Sequence, residues 1–245
     1  MTELCSLLQW DSEFFGVRIA RLRDGRLDET TAHEVGEWCS RQRVDCLYFL
    51  ADPNDATTVL TAEQAGYHLV DLRLVLEHSL TKPNHQPEII GETLIRPSSP
   101  NDLPLLIPIA ESSYTDSRFY HDEHFPRKKC SELYQVWLQR SIAGELADLV
   151  WMGIVGGVPS GFVTCKIEPN SRTAVIGLVG VGESARGSGL GKAMIGRALL
   201  WFGEQGCQII EVVTQGRNIA AQRLYQASGF RTKSLNLWYH KWWKR

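Results

Sequence analysis

Arg186-Gly187-Ser188-Gly189-Leu190-Gly191 is the stretch on which the fold turns. An apolar segment, Ala174 to Val181, precedes it and reads as a strand. After it, Leu190, Ala193, Met194, Ala198 and Leu199 recur at helical spacing. Glycines at such a strand-to-helix turn let successive backbone N–H groups converge, and the helix adds the positive end of its dipole, so the turn suits a diphosphate. Arg186 either adds a further positive charge or is a solvated loop residue. Two phosphate loops are excluded by spacing. A Walker loop needs four residues between its glycines and a hydroxyl after the lysine, but only three residues separate Gly187 from Gly191, and Ala193 follows Lys192. A dinucleotide fingerprint starting at Gly187 needs glycine where Lys192 stands.

Working outward, the order of elements is α/β. Upstream of the loop, Leu149 to Val155 and Gly161 to Ile167 flank Gly156-Gly157-Val158-Pro159, a hairpin signal. A short strand from Leu94, a helix from Asn101-Asp102 and a second helix over Cys130 to Ala143 come before them. Downstream lie a helix to Gln205, a strand Gln208 to Thr214, a helix Ile219 to Ala227 and a last strand through Leu235 to Tyr239. The first 80 residues suggest a strand pair around Phe15-Gly16-Val17, helices over Glu29 to Arg41 and Ala56 to Ala65, and strands Cys46 to Leu50 and Leu69 to Glu77. Two prolines and little periodicity mark a connector, giving a first module 1–80, a linker 81–93 and a second module 94–245. Gln64-Ala65-Gly66-Tyr67 and Ala227-Ser228-Gly229-Phe230 form a faint repeat, in which Asp55 falls on Asn218 and Ala62 on Tyr225.

The composition fits a globular chain: 245 residues, 43% hydrophobic, 22% charged, formal net charge -2. That balance gives no electrostatic reason to expect nucleic acid. Cys5, Cys39, Cys46, Cys130, Cys165 and Cys207 are scattered without a C-x-x-C pair, so neither a disulfide framework nor a zinc site is expected. The start has no secretory pattern, and no stretch reaches the roughly 18 apolar residues of a membrane span. The expectation is a cytoplasmic protein with no metal.

The loop resembles the Q/R-x-x-G-x-G/A signature of the Gcn5-related N-acetyltransferase superfamily, with Arg186, Gly189 and Gly191 in the defining places. Asn218-Ile219-Ala220-Ala221-Gln222-Arg223-Leu224-Tyr225-Gln226-Ala227-Ser228-Gly229-Phe230 is similar to that family's N-x-x-A-x-x-x-Y-x-x-x-G-F helix. The resemblance implies an acyl-CoA N-acyltransferase fold, a mixed sheet flanked by helices, with residues 1–80 as a smaller, degenerate acetyltransferase-like module. It also implies acetyl-CoA as co-substrate: Arg186, Gly187, Ser188, Gly189, Leu190 and Gly191 at the pyrophosphate, Val179, Gly180 and Val181 along the pantetheine arm, and Asn218 hydrogen-bonding that arm. Tyr225, seven residues from Asn218 and so on the same helix face, would protonate the departing thiolate. A tyrosine keeps its proton at neutral pH, which suits that role. A base is also required. Asp71, Glu183 and the His121-Asp122-Glu123-His124 cluster are the candidates.

Three further segments extend the resemblance to bacterial acetyltransferases of dTDP-4-amino-4,6-dideoxy-hexoses, the fucosamine-type sugars. They are Trp10-Asp11-Ser12-Glu13-Phe14-Phe15-Gly16-Val17, Ser117-Arg118-Phe119 and Leu133-Tyr134-Gln135-Val136-Trp137. By that resemblance the nucleotide sugar sits between the modules, Asp71 accepts the amine proton through water, and Phe15, Ser117, Arg118 and Phe119 contact the acceptor. Arg118 would grip the diphosphate or else form a structural salt bridge. The other readings are a peptide, lysine or polyamine acetyltransferase of the same fold and a non-catalytic acyl-CoA-binding regulator. The expected partner is a small nucleotide sugar, not nucleic acid or membrane, and pairing of the final strand's free edge is the route to a homodimer.

Overall fold

Short apolar runs rich in β-branched and aromatic residues alternate with segments that open on a capping side chain, and this alternation builds the fold. A computed structural model describes residues 4–80 and 93–243. In chain order the elements are β1 (Cys5–Leu7), α1 (Gln9–Phe15), β2 (Ile19–Leu22), α2 (Glu29–Arg41), β3 (Cys46–Ala51), α3 (Ala56–Gln64) and β4 (His68–Ser79). There follow β5 (Thr93–Pro97), α4 (Leu103–Ser113), α5 (Arg127–Ile142), β6 (Leu149–Val155), β7 (Val158–Ile167) and β8 (Thr173–Val181). The chain continues through α6 (Leu190–Glu204), β9 (Ile209–Gln215), α7 (Ile219–Ala227) and β10 (Arg231–Trp242). Of the expected linker, only Thr93, which opens β5, lies within the described residues.

All ten strands join one mixed sheet in the order β1-β2-β3-β10-β4-β9-β8-β7-β6-β5. The two longest strands, β4 and β10, lie side by side and antiparallel at its centre. Each has crossed over: β10 inserts against β3, and β4 against β9. The expectation that the final strand offers a free edge is corrected over Leu237 to His240, which pair with both β3 and β4, whereas Arg231 to Asn236 pair with β4 alone; the outermost strands of the sheet are β1 and β5. Helices α4 and α5 pack one face around Phe15, Phe162, Leu178 and Trp238. On the other face α6 and α7 cover β8 and β9, while α2 and α3 cover β2 and β3.

The faint repeat has a structural counterpart. Asp55 caps α3 by accepting from the N–H groups of Thr57 and Thr58, and Asn218 caps α7 by accepting from that of Ala221. Gly66 and Gly229 then take left-handed φ values of +76° and +85°, which glycine adopts at low cost where a helix must stop. The next residue in each copy, Tyr67 or Phe230, donates its N–H to Ala62 or Tyr225, the pair that the repeat register matched.

Two local expectations are corrected. Residues 9–15 form a helix rather than a strand. Trp10 and Phe14 stack one turn apart at 5.1 Å, and the N–H of left-handed Gly16 closes the helix on the Ser12 carbonyl. The hairpin turn is Gly156-Gly157 alone, since Val158 and Pro159 already pair with Val155 and Ile154. Both glycines have positive φ, the combination that matches the strand twist in a two-residue loop.

Candidate active site

Parallel pairing of β8 with β9 runs from Thr173–Ile209 to Ile176–Val212 and stops there. Beyond that point Gly177 to Val181 leans away from Val213 to Gln215, and a cavity of about 330 Å³ fills the opening. A second cavity of about 480 Å³ lies at the glycine loop. Ser113, Val179, Asn218, Ala221 and Tyr225 line both, so the two are joined through the start of α7 and the end of β8.

Arg186, Gly187, Gly189, Leu190, Gly191, Val179 and Val181 line the loop cavity. Gly187 and Gly189 have φ of +78° and +88°, turning their peptides so that the loop can close on the helix N-terminus. Ser188 does not line the cavity. Its hydroxyl donates to the Ala185 carbonyl at 2.7 Å and holds the turn. Gly180 is also off the cavity, because a Cβ there would lie 2.5 Å from the Phe162 ring. Its glycine serves packing of β8 on β7. Gly191 faces Leu224 of α7, 3.3 Å from where a Cβ would stand, so it sets the approach of α6 to α7. The Arg186 Nε donates to the Val181 carbonyl at 3.3 Å, which ties the loop to the strand that feeds it.

Asp71 on β4 and Tyr225 on α7 both line the first cavity, with Ser117, Arg118 and Phe119 from the segment after α4. Asp71 is 4% exposed, and burial pushes its carboxyl up to about 6 despite the Leu72 N–H at 2.8 Å and the field of Arg217. The Arg217 guanidinium stands 3.7 Å from Asp71 and donates to the Val70 carbonyl. Burial likewise raises the Tyr225 phenol, so it stays protonated. Arg118 lies over the rings of Tyr48, Phe119 and Trp238 at 4.9, 4.3 and 4.3 Å, and its Nε is buried without a hydrogen-bond partner. It makes no salt bridge among the described residues, so the structural ion pair considered for it is not formed.

Phe15 does not line either cavity. It stacks on Phe119 at 5.2 Å and meets Phe125 at a tilt of 57° and 4.5 Å, supporting the acceptor-side wall from behind. Glu183 is exposed in a short 3-10 turn before the loop, away from both cavities. The His121–His124 cluster borders a different cavity with His68 and Trp242. Its Asp122 carboxylate accepts from Trp242 Nε1 at 2.8 Å and sits 2.7 Å from His240 Nδ1, a joint between the α4–α5 connection and β10. Among the described residues no group of three His, Cys, Asp or Glu side chains is placed to hold a metal ion. All six cysteines are buried and none is joined in a disulfide among the described residues, and burial raises the Cys165 thiol, which removes it as a nucleophile. Sequence reasoning did not find Arg73, Tyr114, Arg217 and Trp238, which border the acceptor side. Only Arg217 carried a signal, as the residue next to Asn218.

Residues 112–230 match the model of the Acetyltransferase (GNAT) family. The chain carries a GNAT acetyltransferase domain. The chain is similar to the dTDP-fucosamine acetyltransferase of Escherichia coli O6:H1, 23% identical over 236 residues that cover 96% of each. It is also similar to the spore coat polysaccharide biosynthesis protein SpsD of Bacillus subtilis, 26% identical over 148 residues, 60% of this chain and 50% of that protein. Among solved structures, a GCN5-related N-acetyltransferase from Sphaerobacter thermophilus superposes with a TM-score of 0.69 at 16% identity, over 97% of this chain and 76% of that one. The GNAT fold expected from the loop and the Asn218–Phe230 helix is the fold the chain has, and the enzyme is an N-acetyltransferase of this type. Among the described residues no helix is long and apolar enough to cross a membrane.

Proposed function

We propose that the chain transfers the acetyl group of acetyl-CoA to the amine of a dTDP-4-amino-4,6-dideoxy-hexose. One observation carries the reading: the loop cavity and the β8–β9 opening meet at Tyr225, and the opening also holds a buried carboxylate and an arginine without a carboxylate partner. A phosphate-binding loop, an acid, a base and a cation thus stand along one path. The likeness to an enzyme named for dTDP-fucosamine supports the acceptor class. In this reading residues 94–245 form the catalytic domain, and residues 1–80 form the reduced half that walls the acceptor side.

When bound, acetyl-CoA supplies a thioester. Its pyrophosphate would lie on the loop of Arg186, Gly187, Gly189 and Gly191, and its arm along Val179 and Val181. The Asn218 side-chain oxygen is occupied by the Ala221 N–H at 2.9 Å, which leaves its amide nitrogen to donate to the arm. Asp71, with a carboxyl near 6, is largely ionised at neutral pH yet basic enough to take a proton through water from the acceptor ammonium. The freed amine attacks the thioester carbonyl, a C–N bond forms, the C–S bond breaks, Tyr225 gives its proton to the sulfur, and the second proton shed by the nitrogen passes through water to the Tyr225 phenolate. Only interactions that strengthen as charge develops speed this step, and Tyr225 meets that condition at the sulfur.

An acceptor screen with labelled acetyl-CoA tests the proposal. Label moves to the dTDP-amino sugar if it holds. Turnover with peptides or polyamines and none with dTDP-amino sugars ends it, and binding of acetyl-CoA without turnover on any amine gives the regulator reading instead.

A further inference from the structure

Two guanidinium groups approach one indole. The Cζ atom of Arg21 is 5.4 Å from the Trp238 ring centroid and that of Arg118 is 4.3 Å from it, so the two charges are no farther apart than those distances allow together. The ladders explain the meeting. Arg21 pairs with Tyr48, Leu50 with Trp238, and Trp238 with Asp71, with Arg73 two residues further along β4 and therefore on the same face. Arg73, Arg118 and Trp238 line the β8–β9 cavity, and Arg21 is exposed just outside it.

Three arginines from β2, β4 and the α4–α5 connection thus ring the acceptor side. None of them forms a salt bridge among the described residues. Asp11 and Asp71 feel the field of Arg118, and Glu211 that of Arg73, but Glu211 is ion-paired with Lys233. The cations act on one another: Arg118 lowers Arg21, and Arg21 and Arg118 lower Arg73, each after the larger effect of burial. Like charges held together oppose folding, and aromatic faces offset only part of that cost. A dianionic ligand offsets the rest, and planar guanidinium forks fit phosphate oxygens.

We propose that Arg21, Arg73 and Arg118 form a clamp for the diphosphate of the acceptor, with Trp238 as the surface that spaces them. The proposal rests on the nucleotide-sugar reading above. With the diphosphate at this end of the cavity, the sugar extends inward and its amine arrives between Asp71 and Tyr225.

Calorimetric titration of the full chain with dTDP and with inorganic pyrophosphate tests the clamp. The unaltered chain binds dTDP, and Arg21→Gln and Arg73→Gln each weaken it about 10-fold or more, the loss expected of one charge-assisted pair. Acetyl-CoA affinity stays the same in both variants, which also verifies that they are folded. Equal dTDP affinity in the variants and the unaltered chain overturns the clamp and leaves the acceptor class standing. If the unaltered chain binds neither dTDP nor pyrophosphate and acetylates a phosphate-free amine, clamp and acceptor class fail together.

Discussion

Asp71 on β4 lies directly opposite Trp238 on β10, yet the next pair along the ladder is Leu69 with Tyr239, so β4 carries one extra residue at Val70. Side chains alternate along a strand, and a single added residue exchanges the faces. The bulge decides the facing: in a regular ladder continued from Leu69, Val70 would stand opposite Trp238 and Asp71 opposite Leu237, on the α3 side. With it, Asp71 turns into the acceptor cavity, and Arg217 binds the Val70 carbonyl. Bulges often re-aim a side chain beside an active site in this way.

Asp71→Asn is expected to lose most acetyl transfer while gaining stability. The folded carboxyl, near 6, lies above its unfolded value near 4, so the folded protein binds the extra proton between those pH values. Stability therefore rises as pH falls through that window, and ionisation at pH 7 costs about 1–3 kcal/mol that the amide removes. Urea midpoints at pH 7 read the gain. Activity runs the other way: the unaltered enzyme loses kcat/KM as pH drops below about 6, and the variant lacks that limb.

Tyr225→Phe should lower kcat about 100-fold or more, the usual worth of a positioned acid, with the Kd for acetyl-CoA within about 2-fold. Single-turnover kinetics beside equilibrium binding separate the two. An unchanged rate removes Tyr225 from the reaction.

Gly189→Ala forces a side chain into φ near +88° at the head of α6. The strain, about 1–2 kcal/mol, is paid in the loop itself. Acetyl-CoA affinity should fall about 10-fold, with a melting temperature only a few degrees lower.

Asp122→Asn tests the joint with β10. Its hydrogen bonds from His240 and Trp242 hold the carboxyl well below the usual range, and burial lowers His240 to about 4. As pH falls the unfolded chain takes up a proton at His240 between about 6.5 and 4 and at Asp122 below about 4, so stability is full above about 6.5 and is lost in those two steps. The variant should be about 3 kcal/mol less stable at pH 7 and lack the step of acid loss that falls below about pH 4, measured by urea unfolding at pH 7, 4 and 3.

What was legible in the sequence was what local chemistry fixes. Gly187 and Gly189 had to follow a strand and open a helix, and Asn218 and Tyr225 shared a face by spacing alone. The helix Gln9–Phe15 was misread because Phe14, Phe15 and Val17 are good strand residues, whereas Ser12 and Gly16 close a helical turn that periodicity over seven residues cannot reveal. Arg21, Arg73 and Trp238 could not be grouped in advance, since their meeting depends on β10 lying between β3 and β4. Asp122 and His240 are 118 residues apart and meet for the same reason.

The crossing of β4 and β10 also sets an order of events during synthesis. β10 is the last strand made, and until it emerges β3 and β4 each lack the neighbour that separates and joins them. The N-terminal half thus leaves the ribosome with two bare, apolar strand edges, the kind of surface that invites pairing with other chains. Closure of the sheet, and with it the arrival of Trp238 beneath Arg118, waits for Arg231–Trp242. A nascent chain stalled before that strand holds the glycine loop but lacks Trp238, and with it a complete acceptor wall.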